Sequence, residues 1–293
     1  MTRDTNAIET NDLTKQFGPD TAVDELDLAV ERGTVYGFLG PNGAGKTTTM
    51  RMLTSLTRPT DGDAWINGNP VSNRDEIRTA IGYLPEEPPV FDELTGREQL
   101  EYFGRLRDLP AAEMESRIED WLDRFDLTAD ADKRIEDYSK GMRQKVGLIQ
   151  ALLHEPAVVF LDEPTSGLDP RAARTVLDVI AELTDDGHTV FLSTHILSVV
   201  EELADVVGVL SDSSLVAEGS PAELTARMEA EEGTTLEDVF LSVTAERGAA
   251  ASEPRSRTAV DGASRQAVQQ TEQREKQTGT DVDSASTSTQ DDR

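Results

Sequence analysis

The sequence predicts an α/β fold built on a mainly parallel sheet, and three observations predict it. Several segments are continuous apolar runs rather than alternating ones: Thr34–Leu39, Ala157–Leu161 and Thr189–Leu192. Strands of that kind suit a sheet covered on both faces. Stretches of helical periodicity lie between these runs, giving the strand–helix alternation of α/β domains. The first run feeds a glycine-rich loop that opens a helix.

The first apolar run is the strand leading into Gly40-Pro41-Asn42-Gly43-Ala44-Gly45-Lys46-Thr47, which has the spacing of a P-loop. A helix through Thr48, Met50, Met52 and Leu53 follows it. Glycines let the backbone curl so that successive N–H groups point at phosphate oxygens, and the helix N-terminus adds partial positive charge. Gly40 to Thr48 are therefore expected to hold a nucleotide, with Lys46 reaching its outer phosphates and the Thr47 hydroxyl available to Mg²⁺. The fold expected is a P-loop NTPase (RecA-like) core.

Between this loop and the second apolar run lies a helix-rich stretch. Gly96–Leu109 places Leu100, Phe103 and Leu106 on one face, and Met114–Leu127 places Ile118, Trp121, Leu122 and Phe125 on another. These stripes read as core, and the stretch from about 87 to 156 reads as a helical subdomain inserted into a catalytic domain spanning 1–247. The second run ends in Asp162-Glu163. Ligands of open α/β sheets sit at the carboxyl ends of strands, so both acids should face the P-loop crevice. Asp162 is placed to hold Mg²⁺ and Glu163 to orient or deprotonate water. His195 follows the third run and should reach the same edge, in contact with the outer phosphate. His154 and His188 fall near loops and receive no role.

Composition narrows the rest. Asp and Glu number 57 against 28 Lys and Arg, a net charge of −29. Such a field disfavours nucleic acid as a partner. Lys occurs only at positions 15, 46, 133, 140, 145 and 276. Acid-rich, lysine-poor surfaces resemble those of proteins from salt-loving microbes, where salt screens self-repulsion, and an ordinary acidic protein is the alternative. Cysteine is absent, which excludes disulfides and thiolate chemistry. The N-terminus lacks the apolar stretch of a signal peptide, and no apolar run approaches the ~20 residues of a membrane span. Residues 248–293 contain no Leu, Ile, Phe, Met, Trp or Tyr and are expected to form a disordered tail.

Further motifs, in order, resemble those of the ATP-binding-cassette (ABC) family. Tyr138-Ser139-Lys140-Gly141-Met142 resembles its signature, and Ser166-Gly167-Leu168-Asp169 its D-loop. His195 resembles its switch histidine, and Phe17 the aromatic that stacks on adenine. Two departures stand out. Lys140, Gly141 and Met142 replace the usual Gly-Gly-Gln, and Glu86 takes the place of the Q-loop glutamine. Both departures resemble ABC-2-type exporter ATPases, as does Thr235-Leu236-Glu237-Asp238-Val239-Phe240-Leu241. Independently of the resemblance, Ser139 suits a helix N-cap, followed by Met142, Val146, Ile149 and Leu153 at helical spacing.

The resemblance implies an ATPase that uses ATP and Mg²⁺ and works as a head-to-tail homodimer or as a dimer with a related subunit. Ser139, Gly141 and Asp169 would face nucleotide across that interface, and Glu86 would sit near the metal. It further implies a separate membrane permease of ABC-2 type, contacted from the cytoplasmic face of the cell membrane, with export as the expected direction of transport. Two alternatives stay open on sequence alone: a cassette ATPase of DNA repair or translation, and a non-catalytic nucleotide-binding regulator.

Overall fold

The computed structural model describes residues 5–227 and Phe240. The 248–293 tail lies outside the described residues, as does Thr235–Leu241 apart from Phe240.

Among the described residues ten strands form two sheets. The chain opens with β1 (Asn6–Phe17) and β2 (Asp20–Glu31), which pair antiparallel, while β4 (Asp61–Ile66) adds to β1 and the short β5 (Asn69–Pro70) to β4. The second sheet runs in the order β10-β9-β3-β8-β7-β6. Its members are β3 (Val35–Leu39), β6 (Ile81–Leu84), β7 (Val158–Asp162), β8 (Thr189–Thr194), β9 (Val206–Ser211) and β10 (Ser214–Gly219). All neighbours are parallel except the β9–β10 hairpin at one edge. Every residue of β3, β7 and β8 is buried, which is why those strands read as unbroken apolar runs. Phe191 of β8 stacks against Tyr36 of β3 at 5.2 Å and packs against Phe160 of β7 at 5.6 Å.

The helices are α1 (Lys46–Leu53), α2 (Arg74–Ala80), α3 (Gly96–Leu106), α4 (Ala111–Arg124), α5 (Lys140–Leu152), α6 (Pro170–Asp185), α7 (Leu197–Leu203) and α8 (Pro221–Arg227). A capping box starts α3: Thr95 accepts from the Glu98 N–H, and Glu98 accepts from the Thr95 N–H. The buried face of α3 carries Gly96, Gln99, Leu100 and Gly104. Leu106, expected on that face, is exposed. The helix stops there because Asp108 turns left-handed, at φ 56°, and the Leu109 N–H returns to the Gly104 carbonyl. Gly104 leaves room for Met114, whose sulfur would lie 2.5 Å from an added Cβ. On α4, Ile118 and Leu122 are buried as the periodicity predicts, as is Phe125 at its C-terminal cap, while Trp121 is half-buried.

Register brings four strand ends to one edge. Leu39 pairs with Thr194, Asp162 with Ser193, and Leu84 with Leu161. The loops that follow β3, β6, β7 and β8 therefore converge, and they carry the chemistry.

Candidate nucleotide-hydrolysis site

The loop after β3 takes its shape from glycine. Gly43 and Gly45 have φ of 85° and 111°, and Gly45 is the N-cap of α1. A Cβ on Gly45 would lie 2.3 Å from the Ala22 carbonyl oxygen, so only glycine lets the loop pass under β2. The Lys46 ammonium crosses the loop and donates to the carbonyls of Gly40 (2.6 Å) and Pro41 (3.1 Å). Burial lowers its pKa, while the carboxylates of Glu163, Asp162 and Glu86 work against that shift.

Two carboxylates at the end of β7 face this cation. Asp162 accepts from the Thr47 hydroxyl at 2.9 Å and from the Ser193 hydroxyl at 2.7 Å. Glu163 takes the left-handed conformation, φ 50°, rare for a residue with a side chain. Its N–H donates to the Ser193 carbonyl at 2.9 Å. Both carboxylate oxygens are engaged, Oε2 by the Thr194 hydroxyl at 3.1 Å and Oε1 by His195 Nδ1–H at 2.7 Å. A carboxylate has about four lone-pair positions, so Glu163 keeps acceptor capacity for a water. The His195 ring is largely exposed.

Of the residues singled out from sequence, Asn42, Gly43, Gly45, Lys46, Thr47, Thr48, Glu86, Asp162, Glu163 and His195 line one pocket of about 340 Å³. Gly40 and Pro41 supply carbonyls to Lys46, and Ala44 is buried behind the loop. Phe17, Ser139, Gly141 and Asp169 are not part of the pocket wall. Phe17 is 54% exposed at the β1–β2 turn, its ring beneath the Lys15 ammonium. Ser139 caps α5, accepting from the Met142 N–H at 3.2 Å. The Asp169 carboxylate caps α6 through the N–H groups of Arg171 and Ala172, and those bonds, Ala172's foremost, hold its pKa down. Ala22, Ser193 and Thr194 join the site without having been singled out, and Ser166, read only as part of the D-loop, lines the pocket. The polar Ser193-Thr194 pair ending an apolar strand was the available signal. His188 Nδ1 and His154 Nε2 bond the Pro156 and Ile81 carbonyls.

The arrangement could serve phosphate transfer to water, with backbone and lysine available to phosphates, hydroxyl and carboxylate oxygens available to a hard cation, and a buried carboxylate available to the nucleophile. The protein-family model described as "ABC transporter" matches residues 23–166. Across 245 residues the chain is 42% identical to the daunorubicin resistance ATP-binding protein DrrA3 of Streptomyces coeruleorubidus, covering 83% of this chain and 76% of that protein. The chain belongs to the ABC transporter family.

It is an ATP-binding subunit of that family and hydrolyses ATP. The bacitracin transport ATP-binding protein BcrA of Enterococcus faecalis is 40% identical over 222 residues, covering 75% of this chain and 71% of that one. Among solved structures, an ATP-binding subunit of an ABC transporter superposes with a TM-score of 0.76 at 31% identity, covering 81% of this chain and 99% of that one. The ATP-binding cassette MJ0796, a dimer bound to ADP and Pi, shares the fold with a TM-score of 0.68 at 23% identity, covering 73% and 98%. Among the described residues no helix is long and apolar enough to cross a membrane.

Proposed function

We propose that this chain drives export through a separate ABC-2-type permease, docking on it at the cytoplasmic face of the cell membrane. The relatives named for drug resistance and bacitracin transport support that direction. The carrying observation is the convergence of Lys46, Thr47, Asp162, Glu163 and His195 on one pocket. Lys46 and the loop N–H groups bind the β- and γ-phosphates. Thr47 and Asp162, an all-oxygen donor set already bonded to each other, suit Mg²⁺, with Glu86 on the same wall. The metal supplies charge neutralisation across the phosphates. Glu163 accepts the proton of the attacking water, and His195 and Thr194 fix its orientation.

The second half of each site comes from another copy or a related subunit. Ser139, Gly141 and Asp169 lie outside the pocket wall, which fits a role across a head-to-tail interface, and MJ0796 is dimeric. Phe17, exposed at the β1–β2 turn, is free to stack on the base, and the family resemblance supports that role. Residues 1–247 form the catalytic domain, with 87–156 as the helical subdomain and 248–293 as an appended tail. A cleft of about 360 Å³ lined by Tyr83, Pro89, Phe103, Arg78 and Arg107 suits a permease segment with an apolar face and an acidic residue. The charge excess argues against nucleic acid and for a salt-rich interior.

The dimer is tested by mixing. Lys46→Ala and Ser139→Arg are each inactive alone. Mixed, they form dimers in which one interface carries both lesions and the other neither, and ATPase activity returns. Full specific activity from demonstrably monomeric wild-type protein contradicts the proposal.

A further inference from the structure

The loop that carries Glu163 is held from two sides. From β8, the Ser193 carbonyl takes the Glu163 N–H, and Thr194 takes the carboxylate. From α5 comes Gln144, a side chain only 1% exposed. Its Nε2 donates to the Glu163 carbonyl at 3.4 Å and to the Pro164 carbonyl at 3.5 Å. The Glu163 carbonyl also accepts the Ser166 N–H at 3.0 Å, closing a turn whose Ser166 borders the nucleotide pocket.

The amide is not placed there for stability alone. Gln144 Oε1 is buried without a partner, a desolvation cost that Met or Leu would not incur. Only its donor end is used, and its two contacts go to the consecutive carbonyls of Glu163 and Pro164, the first of which belongs to the peptide that follows Glu163. The Glu163 backbone sits in a conformation that ordinary residues avoid and that persists only when its surroundings fix it. The same helix begins at Ser139, and its first turn abuts the far end of the loop: Lys140 Nζ lies 3.4 Å from Ser166 Oγ, and a Cβ on Gly141 would lie 3.3 Å from the Gly167 carbonyl oxygen. Gln144 thus joins the N-terminal end of α5 to the backbone of the hydrolytic glutamate.

We propose that Gln144 is a positioning residue for ATP hydrolysis, holding the Glu163–Pro164 peptide so that displacement of α5 is felt at the Glu163 carboxylate. This rests on the reading of Glu163 as the residue that activates water, which the Glu163→Gln control tests separately. If that control hydrolyses ATP normally, the reading of the site fails, whatever Gln144 does.

The test compares Gln144→Met with Gln150→Met in the full chain. Gln150 is also buried on α5, but it bonds the Pro89 carbonyl and Gln99 and does not touch the Glu163 loop. For Gln144→Met, kcat should fall at least about tenfold while KM for ATP stays within about twofold, and the ATP-bound dimer should outlive that of wild type. Gln150→Met should keep kcat within about twofold. In a Glu163→Gln background, adding Gln144→Met should leave the residual rate unchanged, because both changes act through one group. Gln144→Ala serves in the same comparison if the methionine variant does not fold. A kcat within about twofold of wild type, a loss matched by Gln150→Met, or a fully multiplicative loss in the Glu163→Gln background overturns the proposal.

Discussion

Replacing Gly45 with Ala tests whether the shape of the phosphate loop, and not merely its lysine, sets nucleotide affinity. A Cβ at Gly45 would stand 2.3 Å from the Ala22 carbonyl oxygen, where real Cβ atoms stay beyond 3.0 Å. The obstacle is backbone of β2, so no side chain can swing aside, and either β2 or the loop must shift. The residue would also have to hold φ 111°, a strain of about 1–3 kcal/mol for a side-chain-bearing residue. Together with the overlap, this should exceed about 3 kcal/mol, and the loop should relieve it by opening. Since about 1.4 kcal/mol is tenfold in affinity, ATP binding should weaken by more than about a hundredfold. Gly43→Ala is the internal comparison. Its φ of 85° is also strained, but a Cβ there meets nothing within 4 Å, so its loss should stay within about thirtyfold. Titration of both variants with a fluorescent ATP analogue, alongside thermal melting, measures this. Binding by Gly45→Ala within about twofold of wild type, or weaker binding by Gly43→Ala than by Gly45→Ala, refutes the steric argument.

The other predictions concern the site wall, acidity and salt. Glu86→Ala should lower ATPase activity or its coupling to transport more than Glu87→Ala, and equal, negligible effects would remove Glu86 from the site. His154 is pushed down to about 4, mainly by burial and then by the charge of Arg107, from an ordinary 6.5. The unfolded chain therefore takes up this proton first as pH falls, so this residue's contribution to stability is intact above about 6.5 and declines down to about 4. His154→Gln, which keeps a donor for the Ile81 carbonyl, should flatten the melting-temperature profile across that window, and an unchanged profile would contradict the assignment. Melting temperature should rise between low salt and molar KCl, because the −29 net charge is screened; a flat response would refute a salt-adapted surface.

The phosphate loop and the Asp162-Glu163 pair were legible in the sequence because each is a contiguous motif at the end of an unbroken apolar strand. The antiparallel sheet was harder to read. Val23, Leu26, Leu28 and Val30 of β2 are all buried, but Glu25 turns left-handed at φ 44° and shifts the phase, so strict alternation begins only at Leu26. Gln144 escaped for a related reason. Helix α5 is buried at Gln144 and from Val146 through Leu152, and a one-faced apolar stripe cannot describe a helix enclosed on nearly every side. Ser193 and Thr194 look like the polar fringe of a strand until the register with β7 sets them beside Asp162 and Glu163. Those contacts join segments about thirty residues apart, which no local pattern encodes.

The most direct test of the account is Glu163→Gln. The substitution keeps the side chain's size but removes the charge proposed to take a proton from water, and it leaves Lys46, Thr47 and Asp162 in place. The account predicts ATP binding within about twofold of wild type, turnover reduced by at least about a hundredfold, and an ATP-bound dimer that accumulates on size-exclusion chromatography. Turnover within a fewfold of wild type, with no accumulation of that dimer, would contradict it.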